Sequence, residues 1–203
     1  MSKRLLIATN NPGKVAELRE LLRDLPIELV TPGEIGLKLE IEEDGWTYRE
    51  NAAKKALTFA RLSRLISLAD DSGLEVEALG GAPGLYSARY SPKPGAGDAD
   101  RRAFLLENLH AAKAPRPWKA QFHATLAVAT PEGDVQVAEG ICPGIIIPEE
   151  RGTGGFGYDP VFLLPEVGLT MAELSMEEKN RLSHRARAVL AARPMLREMF
   201  GIR

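Results

Sequence analysis

Asp70-Asp71-Ser72-Gly73 sets two carboxylates side by side behind Leu65-Ile66-Ser67-Leu68-Ala69, a run that reads as a buried strand. The strand is expected to end at the acids, with Ser72 and Gly73 turning the chain. The carboxyl end of a strand is where open α/β sheets bind ligands. Two buried, ionised acids repel each other, so a divalent cation is one reason for them to be neighbours. A solvated acidic turn is the other. A second segment, Thr9-Asn10-Asn11-Pro12-Gly13-Lys14, separates an apolar run from a helical pattern. Backbone N–H groups, a hydroxyl, two amides and a lysine at a helix start can bind phosphate. The Gly-Lys-Ser/Thr signature of a P-loop is missing. The same residues also fit a capped turn with a solvated lysine.

Two acidic or basic clusters and one glycine-rich loop complete the candidates. Glu40-Ile41-Glu42-Glu43-Asp44-Gly45 could lend a carboxylate to magnesium, which takes one or two protein acids together with water and substrate phosphate. It reads equally as a solvated acidic face. Gly154-Gly155-Phe156-Gly157-Tyr158-Asp159 lets backbone approach a ligand closely and offers two aromatic rings for stacking, or it is a tight loop with core aromatics. Lys179 with Ser183-His184-Arg185 could bind phosphate or a carbonyl oxygen, or could form a basic helix start. His110 falls at a helix end and His123 in the polar register of a strand. No zinc spacing, cysteine nucleophile or Ser/His/Asp arrangement stands out.

The elements around these residues alternate. Leu5 to Ala8 is a strand, and Val15, Leu18, Leu21, Leu22 and Leu25 share one face of the next helix. Ile27 to Val30 is a strand. Thr47-Tyr48-Arg49-Glu50 has capping-box spacing and opens a helix reaching about Ser63. Leu74-Glu75-Val76 is a short strand or extended piece, and the glycines and prolines of residues 80–98 mark a long loop. Asp98 is expected to cap a helix ending near Leu109. Gln121 to Val128 and Val135 to Ala138 form a hairpin, followed by separate strands at Gly144 to Ile147 and Val161 to Leu163. Ser175 and Glu178 form a second capping box. Ser183 opens a last helix, which Pro194 is expected to kink or break. The pattern predicts an α/β fold with a mixed sheet in two lobes around a cleft.

Of the 203 residues, 44% are apolar and 27% charged, and the net charge is −2. This composition suits a globular chain with a substantial core. It offers no general electrostatic hold on nucleic acid or an anionic membrane. The lone cysteine, Cys142, excludes an intrachain disulfide. No apolar run nears the roughly 18 residues of a membrane span, and no cleavable leader pattern is seen. A cytoplasmic location is the expectation.

Taken in order, these segments resemble the inosine triphosphate pyrophosphatase family, in its bacterial branch. Thr9-x-Asn11-x-x-Lys14 resembles its phosphate motif, and Glu42-Glu43-Asp44-Gly45 with Glu50-Asn51-Ala52 its acidic loop and first long helix. Asp70-Asp71-Ser72-Gly73-Leu74 and Gly81 to Tyr90 are similar to its central signature. Gly152 to Pro160 and Ser183-His184-Arg185 are similar to its C-terminal pair. Asp44 stands where a threonine is common. The resemblance spans residues 9 to 185 and implies one domain over residues 1–203, with a long curved mixed sheet, flanking helices and two lobes enclosing a nucleotide cleft.

The implied activity is magnesium-dependent hydrolysis of inosine, deoxyinosine and xanthosine triphosphates to monophosphate and pyrophosphate, by a homodimer. Under it, Thr9, Asn10, Asn11, Pro12, Gly13 and Lys14 take the triphosphate, and Ser72 contacts substrate beside the metal. Glu42 and Asp71 hold Mg2+, with Asp71 also the general base. Phe156 stacks on the base, Gly157, Tyr158 and Asp159 complete its pocket, and Lys179, His184 and Arg185 donate to its six-oxo group. Two rivals are a pyrophosphatase for modified pyrimidine nucleotides and a non-catalytic nucleotide-binding regulator.

Overall fold

Strand β1 (Arg4–Ile7) is buried on both faces, as a central parallel strand must be. In the computed structural model, which describes residues 3–202, it is followed by α1 (Pro12–Leu21), β2 (Glu28–Val30), α2 (Tyr48–Ser63), β3 (Ile66–Val76) and α3 (Asp98–Ala111). Then come β4 (Trp118–Ala129), β5 (Val135–Ile146), β6 (Phe162–Leu164), β7 (Leu169–Thr170), α4 (Met176–Leu182) and α5 (His184–Phe200). The seven strands form one sheet in the order β2-β1-β3-β4-β5-β6-β7. β1 is parallel to β2 and to β3, whereas β6 is antiparallel to β5 and β7. The sheet is therefore mixed, as the alternation of elements predicts.

The chain divides into two units. The first holds the residues up to Asp71, Ala124–Gly140, and those from Arg185 onward. Its core lies on both sides of the strands. Leu5, Ile7, Leu68, Ala124, Leu126 and Val128 pack with Leu18 of α1 and Ala188, Val189, Ala192 and Leu196 of α5. Leu6, Ala8, Ala69, Ala127 and Ala129 pack with Ala52, Ala56, Phe59 and Ala60 of α2. The strand period of two thus assigns alternate residues to α1 and α5, or to α2. The second unit, Ser72–His123 with Ile141–His184, has its own core. There Leu74, Val76, Leu105, Leu109, Trp118, Phe122, Ile146 and Phe162 come together.

Four local expectations change. β3 does not end at the acids but runs through Asp70-Asp71-Ser72-Gly73 to Val76. Leu74 and Val76 are fully buried, and their burial outweighs the turn preference of Ser-Gly. The stretch from Val135 to Ile146 is one strand, not two. Gly97 occupies the N-cap of α3, so Asp98 is already helical; the cap amide is satisfied instead by Asp100, at 3.0 Å. α5 continues across Pro194. A fifth detail concerns α2. Thr47 accepts from the Glu50 N–H at 3.1 Å, but Glu50 reaches back to the Trp46 N–H at 2.7 Å, one residue beyond the usual capping box.

In the second unit, Ser87 ties three segments together. Its hydroxyl donates to the Gly84 carbonyl at 2.6 Å and accepts from the Leu74 N–H at 2.9 Å, while its own carbonyl accepts from the Tyr158 hydroxyl at 2.9 Å. Ser87→Ala strands a buried N–H on β3 and should lower stability by about 1–3 kcal/mol, read as a shift in the urea unfolding midpoint at unchanged slope.

Candidate active site

The first unit carries two carboxylates that the sequence makes neighbours and the strand makes strangers. Asp70 and Asp71 are 1% and 6% exposed, and successive β3 side chains point to opposite faces. Asp70 lies on the α1 and α5 side. Lys14 of α1 pairs with it at 2.6 Å, and Arg185 of α5 donates from Nε at 2.8 Å and from Nη2 at 3.4 Å. Arg185 also pairs through Nη1 with Glu17, three residues beyond Lys14 on α1. Burial opposes the charge on Asp70, but Arg185 and Lys14 outweigh it and hold the carboxyl well below the usual range. Arg185 is itself 1% exposed; burial disfavours its charge, and Asp70 and Glu17 more than restore it.

Asp71 lies on the α2 side, in different company. Lys55 stands 3.8 Å from its Oδ1 and is bonded to Glu43 Oε1 at 2.6 Å and to the Asp70 carbonyl at 2.7 Å. Asn51 hydrogen-bonds the Asp71 carboxylate and accepts the Gly45 N–H at 2.8 Å. Burial pushes the Asp71 carboxyl upward, Lys55 pulls it down and Glu43 pushes it up again, with a net rise. The adjacent acids are thereby driven in opposite directions, which is how one site obtains a firmly ionised group and a more basic one. The two acids face different helices, and Lys14, bonded to Asp70, also draws the Asp71 carboxyl down by its charge alone.

The Thr9–Lys14 segment is a built helix entrance. Thr9 Oγ1 accepts from the Asn11 N–H at 3.2 Å, and Asn11 Oδ1 caps α1 by accepting from the Lys14 N–H at 3.1 Å. Pro12 supplies the preset φ of the first helical position. Asn10 donates to the Leu39 carbonyl at 3.3 Å. A lysine in a helix's first turn opposes the macrodipole; Asp70 offsets this one. Glu42 is exposed on the loop before α2, with its carbonyl accepting from Lys54 at 3.0 Å. Ser72 continues β3 directly after Asp71 and is half-buried.

In the second unit, Asp159 organises the glycine-rich loop. Its Oδ2 accepts from the Phe156 N–H at 2.9 Å and from Lys179 Nζ at 2.7 Å. The Lys179 ammonium lies 5.2 Å from the centre of the Phe156 ring, in cation–π range. Gly155 makes this possible: its φ is +71°, and a Cβ there would meet Asp159 Oδ2 at 2.0 Å. His184 is buried and stacks on Phe122, with ring centres 4.7 Å apart. Tyr158 is a core anchor whose hydroxyl is held by Ser87, and burial pushes its pKa up. The structure therefore gathers Phe156, Asp159 and Lys179 into one cluster and gives Tyr158 to the core.

The Ham1 family model matches residues 5–195. The chain belongs to the Ham1 family. A dITP/XTP pyrophosphatase from Desulforamulus reducens is 47% identical over 97% of each chain. One from Thermus thermophilus is 47% identical over 93% of this chain and 89% of its own. Among solved structures, a HAM1 protein from Coxiella burnetii superposes with a TM-score of 0.86 at 41% identity, covering 98% of this chain and all of that one (100%). The Ham1 protein of Staphylococcus aureus gives 0.83 at 35% identity, with 97% and 100% covered. The Ham1 fold is thus the fold of this chain.

Sequence reasoning missed Glu17 and Lys55 as members of the acid clusters; it had Glu43 in the acidic loop and Asn51 at the start of the first long helix, without the contacts they make. Both missed residues left a signal. Glu17 adjoins Leu18 in the apolar stripe of α1, and Lys55 falls among Ala52, Ala56 and Phe59 on the buried stripe of α2. A charged residue on a buried stripe needs a buried partner.

The Asp70 cluster predicts a stability effect. Asp70→Asn leaves Arg185 and Lys14 without their common anion and should cost about 3–5 kcal/mol at pH 7. The sign with pH is fixed by the depressed carboxyl. Its contribution is complete above the unfolded value near 3.8 and is lost as pH falls through the lower folded value. Urea titrations from pH 7 to pH 3 should therefore show the wild-type advantage held down to about pH 4 and shrinking below it.

Proposed function

We propose that this chain hydrolyses non-standard purine nucleoside triphosphates (dITP, ITP and XTP) to the monophosphate and pyrophosphate, and so cleanses the nucleotide pool. The observation that carries this reading is the unequal pair on β3. Asp70 is neutralised by Lys14 and Arg185, while Asp71 is buried with a raised carboxyl beside Lys55. A carboxylate more basic than usual is suited to take a proton from water attacking the α-phosphorus.

The same reading assigns the phosphates to the entrance of α1. Thr9, Asn10, Asn11, Pro12, Gly13 and Lys14 surround a helix N-terminus whose backbone N–H groups attract anions. Asp70 holds the Lys14 side chain at 2.6 Å, so a phosphate meets an ammonium already oriented. Glu42 and Asp71 would hold Mg2+. Magnesium takes one or two carboxylates and fills the rest of its shell with water and phosphate oxygens, so these two acids suffice. Lys55 is buried between Glu43 and Asp71, so this part of β3 already accommodates a positive charge beside Asp71. When bound, magnesium would neutralise charge developing on the phosphate oxygens. Ser72, next along β3, would contact the substrate.

Base recognition falls to the second unit. Phe156 offers its ring, and Lys179 and His184 can donate to a six-oxo group, where adenine presents a donor of its own. A mispaired buried polar group costs about 1–3 kcal/mol, or roughly tenfold to a hundredfold in selectivity. Arg185 faces Glu17 and Asp70, and its part is to set Lys14 and the start of α5. Cytoplasmic location and a homodimer belong to the same reading, on the strength of the family resemblance.

Pyrophosphate release from dITP, XTP, dATP and dGTP, with and without magnesium, tests this reading. Rapid magnesium-dependent release from the first two is the expected outcome, and equal rates on all four would discard the base assignments. Asp71→Asn should bind dITP with near-normal affinity yet lose at least about 10²-fold in kcat; near-normal turnover would remove Asp71 as the base.

A further inference from the structure

Helix α3 holds the glycine-rich loop by both sides of one residue. Asp98 Oδ2 accepts from the Gly157 N–H at 2.7 Å, and Arg102 Nη1 donates to the Gly157 carbonyl at 2.8 Å. Asp98 and Arg102 are one helical turn apart and so share a face of α3. The same guanidinium grips Glu150 through Nε at 2.8 Å and Nη2 at 2.9 Å. Arg102 therefore ties the start of the loop, at Glu150, to its turn at Gly157. Arg101 pairs with Asp98 from three positions along the helix and keeps that carboxylate in place.

The consequence is geometric. The Gly157 N–H belongs to the peptide after Phe156, and the Gly157 carbonyl to the peptide before Tyr158. The peptide before Phe156 is fixed by Asp159, and Tyr158 is fixed by Ser87. Three successive peptide planes are thus pinned, two of them from α3. Gly157 has φ +63°, a conformation that most side chains avoid. Both of its hydrogen-bonding groups meet α3 side chains, so its part in recognition is indirect.

We propose that Asp98 and Arg102 are positioning residues for base selection: they fix the plane and height of the Phe156 ring over Lys179 without touching the substrate. The proposal rests on the reading of residues 156–159 as the base site. It is specific to side-chain chemistry at α3. A guanidinium is required at 102 because only a planar fork reaches Gly157 and Glu150 together. At 98 one carboxylate oxygen serves Gly157 and the other meets Arg101.

The test is steady-state kinetics with dITP and dATP at saturating magnesium, with thermal unfolding alongside. Arg102→Met should raise KM for dITP roughly tenfold and narrow the dITP to dATP preference, with kcat within about threefold, since a misplaced binding group costs binding before chemistry. Asp98→Ala should do the same, and it carries the test if Arg102→Met fails to fold. Asp98→Asn, which keeps one acceptor oxygen and loses the Arg101 pair, and Arg102→Lys, which keeps the charge and loses the fork, should both fall between the wild type and these variants. A lowered thermal midpoint with KM and preference unchanged in Arg102→Met and Asp98→Ala would make the clamp merely structural and overturn the proposal. Phe156→Ala separates the two failures. If it raises KM while the α3 variants do not, the clamp alone is wrong. If it leaves KM unchanged, the base-site reading falls and takes the clamp with it.

Discussion

Two buried carboxylates next to each other in a chain would be costly on any element that kept them together. A strand does not. Because β3 continues past Asp71, its pleat sends Asp70 toward α1 and α5 and Asp71 toward α2. Each acid then needs its own positive partner from its own side, and the helices supply them: Lys14 and Arg185 for one, Lys55 for the other. The opposed shifts of the two carboxyls follow from that separation. The position of α1, its capped entrance and the buried start of α5 are fixed by the same few contacts.

The second unit uses a carboxylate differently. Asp159 accepts at once from a backbone N–H and from Lys179, so it shapes the loop and places a cation with one oxygen. Gly155 leaves it the room to do so. Where the first unit distributes charge over helices on either side of a strand, the second concentrates it within one turn of loop, with α3 bracing that turn from outside.

Much of this was legible in the residues. Apolar runs and alternation located most of the strands, helical spacing located α1 and α2, and capping-box spacing marked the starts of α2 and α4. The segments Thr9–Lys14, Asp70–Asp71 and Gly154–Asp159 stood out because their residue types are unusual at those places. What could not be read was the path of β3. Ser72-Gly73 has the composition of a turn, and only the distant residues that bury Leu74 and Val76 make it a strand. The partners of the acids were hidden for the same reason. Glu17 and Arg185 are 168 positions apart in the sequence, and no local pattern links them. Asp98 read as a cap because an Asp before a helical run usually is one; here its carboxylate goes instead to Gly157.

Lys14, Glu17, Asp70 and Arg185 bring together two cations and two anions, three of them buried and Lys14 half-buried. Losing Glu17, Asp70 or Arg185 leaves an unbalanced charge in the interior. A chain that drifts to replace one must change another in the same step, or pass through a form that folds poorly. The surface around them is open to substitution one residue at a time, whereas this square of charges sets a ratchet on which sequences can be reached from which.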